Sequence, residues 1–189
     1  VCDLFVPTEH THAFPDHRAT QPGLLYCLPI MSVFAWTVAV VPLGIARSAI
    51  SSFGALAGRK VRAGATVPLA EREIVQDGVG RAETLHAAAR SLLIEAMGEL
   101  MRATDAGGDR LIRARALFRA ACTFAAESAV RVVDSLAASA GAAAISETCA
   151  LERCVRDVQA AVKHVAMSPN NYVVAGRVCL GKEPGTTRF

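Results

Sequence analysis

One histidine, His164, combines a suitable residue type with a defined position beside other polar groups. A free imidazole has a pKa of about 6.5, so it can donate a hydrogen bond or accept a proton near neutral pH. Two charged residues, Arg156 and Asp157, precede it by about two helical turns. Three polar residues follow it within one short segment: Ser168, Asn170 and Asn171. The segment 151–172 is therefore the first place to look for chemistry.

A helix is expected to position His164. Apolar residues recur there at helical spacing and form one stripe: Leu151, Val155, Val158, Val162 and Val165. The pattern predicts a helix from near Leu151 to Leu180, with a bend at Pro169 and Gly181 as its terminator.

Three further helices are predicted upstream. The first begins at Leu28 and ends before a loop at 58–68, the second covers 69–104, and the third covers 109–140 with Asp109 as its cap. The connections near 105 and 145 are short, which favours neighbouring antiparallel helices. The predicted fold is all-α, an up-down-up-down four-helix bundle over residues 28–181 with a tail at 182–189.

Composition excludes several classes of function. The formal net charge is only +3 and basic residues are scattered, so we expect no nucleic-acid partner. Residues 19–46 carry no charged side chain, but Pro29 and Pro42 interrupt the run, and a buried bundle helix is favoured over a membrane span. The six cysteines form no C-x-x-C pair, which is typical of reduced thiols in a cytoplasmic protein.

The N-terminal residues 1–27 differ from the rest of the chain in predicted structure, because they lack a helical pattern. Residues 1–7 alternate like a β-strand but have no partner strand nearby, so we expect the end of a β-domain whose remainder is missing, followed by a linker. The linker contains a group of potential metal ligands: Glu9, His10, His12, Asp16 and His17. Their spacing fits no helix face, and no metal site is predicted.

Several short sequence motifs occur in the same order as in one known protein family. They are Leu4-Phe-Val-Pro7, Gly44-Ile-Ala-Arg47, Pro68-Leu-Ala-Glu-Arg-Glu-Ile-Val-Gln76 and the Leu-Glu-Arg…Arg-Asp motif of 151–157. The chain resembles the C-terminal domain of the acyl-CoA dehydrogenase superfamily. Within it, the L-x-R-x-x-R-D-x-x-A-A-x-x-H pattern ahead of Ser-Pro resembles the oxygenase components of two-component flavin-dependent monooxygenases.

The position after His164 separates two chemistries within that superfamily. Many dehydrogenases carry there a glutamate that removes the α-proton of the thioester, but this chain has Val165, which cannot accept a proton. Glu147 is the nearby carboxylate that might substitute. The resemblance therefore implies monooxygenation, with His164 contacting the oxygen species on reduced flavin or taking a phenolic proton.

The resemblance also implies cofactor contacts. A loop after the first bundle helix reaches flavin phosphates, often of a neighbouring subunit, and its basic residues here are Arg59, Lys60 and Arg62. Ser168, Asn170 and Asn171 follow His164 and are candidates to line the pocket or contact flavin, although capping and turn formation around Pro169 is a simpler account of them.

The predicted function is thus that of a flavin-dependent hydroxylase domain. The expected partners are reduced FMN or FAD, a separate flavin reductase, an aromatic or apolar substrate and three further copies in a homotetramer. An acyl-CoA dehydrogenase and a non-catalytic helical assembly module are the alternatives.

Overall fold

The computed structural model describes residues 2–11 and 20–186, and the regular elements within those ranges are helical. Short 3-10 turns connect the longer helices. The five α-helices are α1 (Ile30–Ala57), α2 (Glu73–Ala106), α3 (Gly108–Ala140), α4 (Ala150–Ala161) and α5 (Asn170–Cys179).

The helices form the predicted up-down-up-down bundle. The first halves of α1 and α3 share one apolar cluster, which includes Ala39 and Phe118, and their second halves share another, which includes Phe53 and Leu136. These two helices are therefore parallel, and α2 runs antiparallel between them. The fourth element of the bundle consists of α4 followed by α5. It runs antiparallel to α3, because α4 packs beside the end of α3 and α5 packs beside its beginning.

The prediction of one continuous helix over 151–180 is wrong. The fourth member is split, since α4 ends at Ala161 and α5 begins at Asn170. Proline has no backbone N–H and disfavours helical geometry in the residue before it, and Ser168 is accordingly extended, with ψ of 137°. The break starts well before the proline, however, because Ala166 and Met167 turn inward and are buried.

Asp109 does not cap α3 as predicted. The cap position belongs to Gly107, whose φ of 66° lies in the left-handed region that favours glycine. Asp109 lies within the first turn, where its carboxylate is close to the positive end of the helix dipole.

Residues 2–7 of the predicted strand pair with no other strand in the described part of the chain. Leu4 and Phe5 are exposed, as expected for an extended segment without neighbours to satisfy its backbone. Of the possible metal ligands, His12, Asp16 and His17 lie outside the described residues. Within the described ranges, no group of three metal-ligating side chains occurs.

Two helical segments, Ile30–Ala57 and Gly108–Ile145, are long and apolar enough to cross a membrane. The inner faces of both pack into the bundle core, and core helices commonly have this composition. α1 also has an uncovered apolar surface, on which Phe34 and Val41 are half exposed.

All six cysteines are free, and burial raises the pKa of the Cys122 thiol to about 12.

Candidate functional site

His164 lies in the connection between α4 and α5, three residues beyond the end of α4. Its side chain is exposed, and its Nδ1 accepts a hydrogen bond from the backbone N–H of Ala166 at 3.1 Å. The imidazole thereby caps the 3-10 turn Val165–Met167. Because Nδ1 is the acceptor, the single hydrogen of the neutral ring is on Nε2. The ring therefore presents an N–H donor to an approaching ligand.

Buried polar contacts fix this connection to α3. The Thr123 hydroxyl donates to the carbonyl of Ser168 at 3.1 Å. The Asn171 amide nitrogen donates to Thr123 Oγ1 and to the carbonyl of Ala166, each at 2.9 Å. Since buried hydrogen bonds resist displacement, Ala166 and Ser168, which follow His164, are held to the bundle.

Thr123 was not identified from sequence. It is fully buried within an apolar stretch of α3. The sequence feature that could have identified Thr123 is a hydroxyl side chain on an otherwise apolar helix face. Asn171 was noted only as one of three polar neighbours of His164, although it is the buried one.

Ser168 and Asn170 lie within the same connection as His164. Ser168 Oγ accepts the backbone N–H of Asn170 at 3.3 Å, which caps the start of α5. The side chain of Asn170 is exposed. Both residues are thus near His164, with Ser168 engaged in a cap and Asn170 open to a ligand.

The basic loop is remote from His164. Lys60 Nζ donates to the carbonyl of Ala140 at 2.7 Å, and Arg62 donates to the carbonyl of Ser139 at 3.2 Å, so both cap the end of α3. Ser139 and Thr123 are separated by about 24 Å along α3, at ~1.5 Å per residue. The structure therefore groups His164 with Ser168 and Asn170 but not with the cationic loop.

Arg59 is available to bind an anion, as Arg62 also is. The Nε of Arg59 donates to the carbonyl of Ala55 at 3.2 Å, and the side chain is exposed. The remaining guanidinium N–H groups are suited in geometry to a phosphate.

A buried arginine also lies one turn before Thr123. Arg119 is only 4% exposed, and its Nε has no hydrogen-bond partner in the described part of the chain. Burial lowers the pKa of this guanidinium. A buried cation without an acceptor is costly, so Arg119 is a second residue suited to an anionic group.

The Arg156–Asp157 pair has a structural role. Arg156 binds Glu152 at 2.6 Å, and Asp157 binds Arg153 at 3.3 Å, so the two residues pair along α4 rather than with each other. The hydrogen bond that Arg156 donates to Glu152 raises the pKa of Arg156. These contacts stabilise the helix that leads to His164.

Position 165 does not supply the carboxylate of the missing glutamate, and Glu147 is remote from His164. Val165 is 74% exposed and does not continue the α4 stripe, whereas Leu151 and Val158 are buried as predicted. Glu147 precedes α4, and His164 follows it, which separates them by about 18 Å along the helix.

Tyr172 in α5 donates its hydroxyl hydrogen to Glu127 of α3 at 2.9 Å. Burial, then this hydrogen bond, raises the pKa of Tyr172 to about 12. The folded state thus holds the phenolic proton more tightly than the unfolded chain, where tyrosine has a pKa of about 10. The associated stability is present below about pH 10 and is lost as the pH rises towards 12.

Replacing Tyr172 by phenylalanine is therefore expected to remove part of the alkaline destabilisation. Denaturant unfolding measured across the alkaline range should show a shallower decline for Tyr172→Phe than for the parent chain. Tyr26→Phe is the control, because Tyr26 lies in the exposed N-terminal segment. Equal declines in all three proteins would contradict the coupling between Tyr172 and Glu127.

One protein family matches most of the chain. The family described as "Acyl-CoA dehydrogenase, C-terminal domain" matches residues 36–169. The chain is 30% identical over 170 residues to indole-3-acetate monooxygenase of Pseudomonas putida, covering 88% of this chain and 44% of that protein.

Solved structures share the fold. The HsaA monooxygenase from M. tuberculosis aligns with a TM-score of 0.76 at 25% identity, covering 88% of this chain and 44% of that chain. The 3-HSA hydroxylase from Rhodococcus sp. RHA1 aligns with a TM-score of 0.78 at 24% identity and the same coverages. XiaF from Streptomyces sp., solved in complex with FADH2 and glycerol, aligns with a TM-score of 0.77 at 19% identity, covering 87% and 42%.

The chain thus spans less than half the length of the proteins that it matches. The family match nevertheless covers most of the bundle, including α2, α3, α4 and the turn that carries His164. The chain belongs to the family of acyl-CoA dehydrogenase C-terminal domains.

Proposed function

We propose that this chain is the C-terminal half of a flavin-dependent monooxygenase that hydroxylates an aromatic or other apolar small molecule in the cytoplasm. The observation that carries the proposal is the surface of the α4–α5 connection, where a histidine that caps the following turn lies beside an exposed valine instead of a glutamate. The monooxygenase relative in Pseudomonas putida supports the same reaction class.

Reduced FMN or FAD is the proposed cofactor, and a separate reductase supplies it. The flavin, when bound, activates oxygen, and the protein contributes orientation and a fixed hydrogen-bonding environment. His164 offers Nε2–H as a donor at that site, because Nδ1 is held by the backbone of Ala166. If the ring acts as a base instead, it must use the nitrogen that carries no hydrogen. In this geometry that nitrogen is Nδ1, which already accepts the N–H of Ala166.

The proposed assembly is a homotetramer. The half-exposed apolar side chains Phe34 and Val41 on α1 suit burial between subunits.

The separation between His164 and the basic loop also bears on which subunits contact one flavin. We infer that a flavin ring near His164 of one subunit receives its phosphate contact, through Arg59, from another subunit.

The full-length polypeptide that contains this chain provides the test. With reduced flavin, oxygen and a panel of phenols and aromatic acids, we expect reductase-dependent formation of a hydroxylated product. Reduction of an artificial electron acceptor by acyl-CoA would instead establish a dehydrogenase. A full-length protein that binds no flavin would support a helical assembly module.

A further inference from the structure

A buried cation lies on α3 where this helix meets two others. Arg119 is only 4% exposed, and its Nε has no hydrogen-bond partner within residues 2–11 and 20–186. Arg115, one turn earlier, is half-buried, and its burial together with the charge of Arg119 lowers the pKa of Arg115. Two like charges that are buried side by side destabilise a fold unless an anion compensates them. The position of Arg119 therefore calls for an anionic partner.

Three elements of the bundle surround Arg119. On one side of it, Phe118 belongs to the apolar cluster shared with α1. On the other side, Ala116 packs against α5. One turn further along α3, Thr123 donates to the carbonyl of Ser168 in the α4–α5 connection. A partner for Arg119 from within the bundle would have to come from α1, α5, that connection or α3 itself.

These elements contain no carboxylate. Within α3, residues 110–126 include neither Asp nor Glu. Neither occurs in α1, whose one charged residue is Arg47, or in residues 158–182, which cover the connection and α5. The one charged residue of α5 is Arg177, which adds a positive charge. The elements that pack around Arg119 therefore cannot neutralise it.

The carboxylates at the edges of this region have other partners. Glu127 lies about 12 Å beyond Arg119 along α3 and accepts the hydroxyl hydrogen of Tyr172. Glu95 and Glu99 of α2 line a pocket beside α3, but each binds an arginine other than Arg119. This chain covers only 44% of the monooxygenase relative, so a longer polypeptide has further residues to offer.

We propose that the remainder of the full-length polypeptide supplies an aspartate or glutamate side chain that forms a buried ion pair with Arg119, beside Arg115. A guanidinium presents a planar fork of N–H donors that matches a carboxylate. Because Arg119 is one turn from Thr123, this contact seats that part of the polypeptide against the connection that presents His164. The proposal rests on the longer polypeptide inferred above but not on its oxygenase activity.

Replacing Arg119 by methionine tests the proposal through the sign of the change in stability. In the full-length polypeptide the substitution leaves a buried carboxylate without its partner, so the midpoint of urea unfolding should fall by about 1 M or more. In the 189-residue chain the ion pair is incomplete. There the same substitution removes an uncompensated buried cation, so the midpoint should rise.

Arg113→Met is the matched control, because Arg113 is an exposed arginine of the same helix. It should shift either midpoint by no more than about 0.2 M. Arg119→Lys retains the positive charge, so it should lower the full-length midpoint less than Arg119→Met does. Each shift should be the same at low and high chloride concentration, because a buried pair is screened little by salt.

Three results would overturn the proposal. One is a full-length midpoint that rises in Arg119→Met, or that changes no more than in Arg113→Met. Another is a fall in the midpoint of the 189-residue chain, which would place the carboxylate in this chain or in a second copy of it. The third is a full-length effect that appears only at high chloride concentration, which would assign an adventitious ion only.

The test remains decisive in two unfavourable cases. If the 189-residue chain does not fold alone, the full-length comparison of Arg119→Met with Arg113→Met decides the outcome. If the full-length polypeptide proves not to be a hydroxylase, the result is unaffected, because stability and not turnover is measured.

Discussion

Replacing His164 by alanine is expected to lower the rate of substrate hydroxylation by about two to four orders of magnitude, the usual contribution of a positioned proton donor or acceptor. The substitution removes the Nε2–H donor and also the cap on the Ala166 N–H. Flavin affinity should change little, because the proposed phosphate contact is remote from His164. Product formation and reduced-flavin binding are measured on the full-length polypeptide.

Two further variants distinguish a donor from a base. Glutamine at position 164 retains an N–H group at a similar reach but cannot act as a base at neutral pH, so partial activity in His164→Gln supports the donor role. Loss of activity in His164→Gln to the level of His164→Ala supports the base. Lys163→Ala is the control, since Lys163 is an exposed neighbour. Unchanged turnover in His164→Ala would remove His164 from the site.

Replacing Asn171 by alanine is expected to destabilise the chain by about 2–4 kcal/mol. The amide donates two buried hydrogen bonds, to Thr123 and to the carbonyl of Ala166. Leaving a buried partner unsatisfied costs about 1–3 kcal/mol, and the vacated volume adds to that cost. Urea unfolding measures the loss of stability. Faster hydrogen exchange of the Ala166 N–H would show that the turn around His164 has loosened.

The adjacent residue provides a matched control for this change. Asn170 has the same side chain but is exposed, so Asn170→Ala should change stability by no more than about 0.5 kcal/mol. Equal effects of the two substitutions would show that the polar contacts with Thr123 do not hold the connection in place.

The long helices could be predicted from the sequence because their patterns are local. α2 and α3 have sustained apolar periodicity and end at glycines, and these features specify a helix without reference to its neighbours. The phrases shared with the family likewise identified the bundle topology. The cap on α3 was misassigned, because both Gly107 and Asp109 fit an N-terminus and only the backbone angles distinguish them.

The chemistry of the candidate site was only partly predictable. His164 and its polar neighbours were chosen as candidates from residue type and order, and the absence of a glutamate after His164 was read directly from the sequence. The tautomer was not predictable, because it depends on a backbone N–H that reaches Nδ1 only after the turn has formed. The grouping of Ser168 with His164, apart from the basic loop, likewise required the three-dimensional fold.

The sequence by itself determined an all-helical bundle of a known family and the absence of a base at position 165. Tertiary structure decided where the last helix breaks, because burial of Ala166 and Met167 against the bundle outweighs continued helical periodicity. It also decided how His164 is held, since Thr123 and Asn171 are distant in sequence and meet only when α5 packs on α3. Local patterns specify helices, whereas contacts between distant residues specify the turn that presents the histidine.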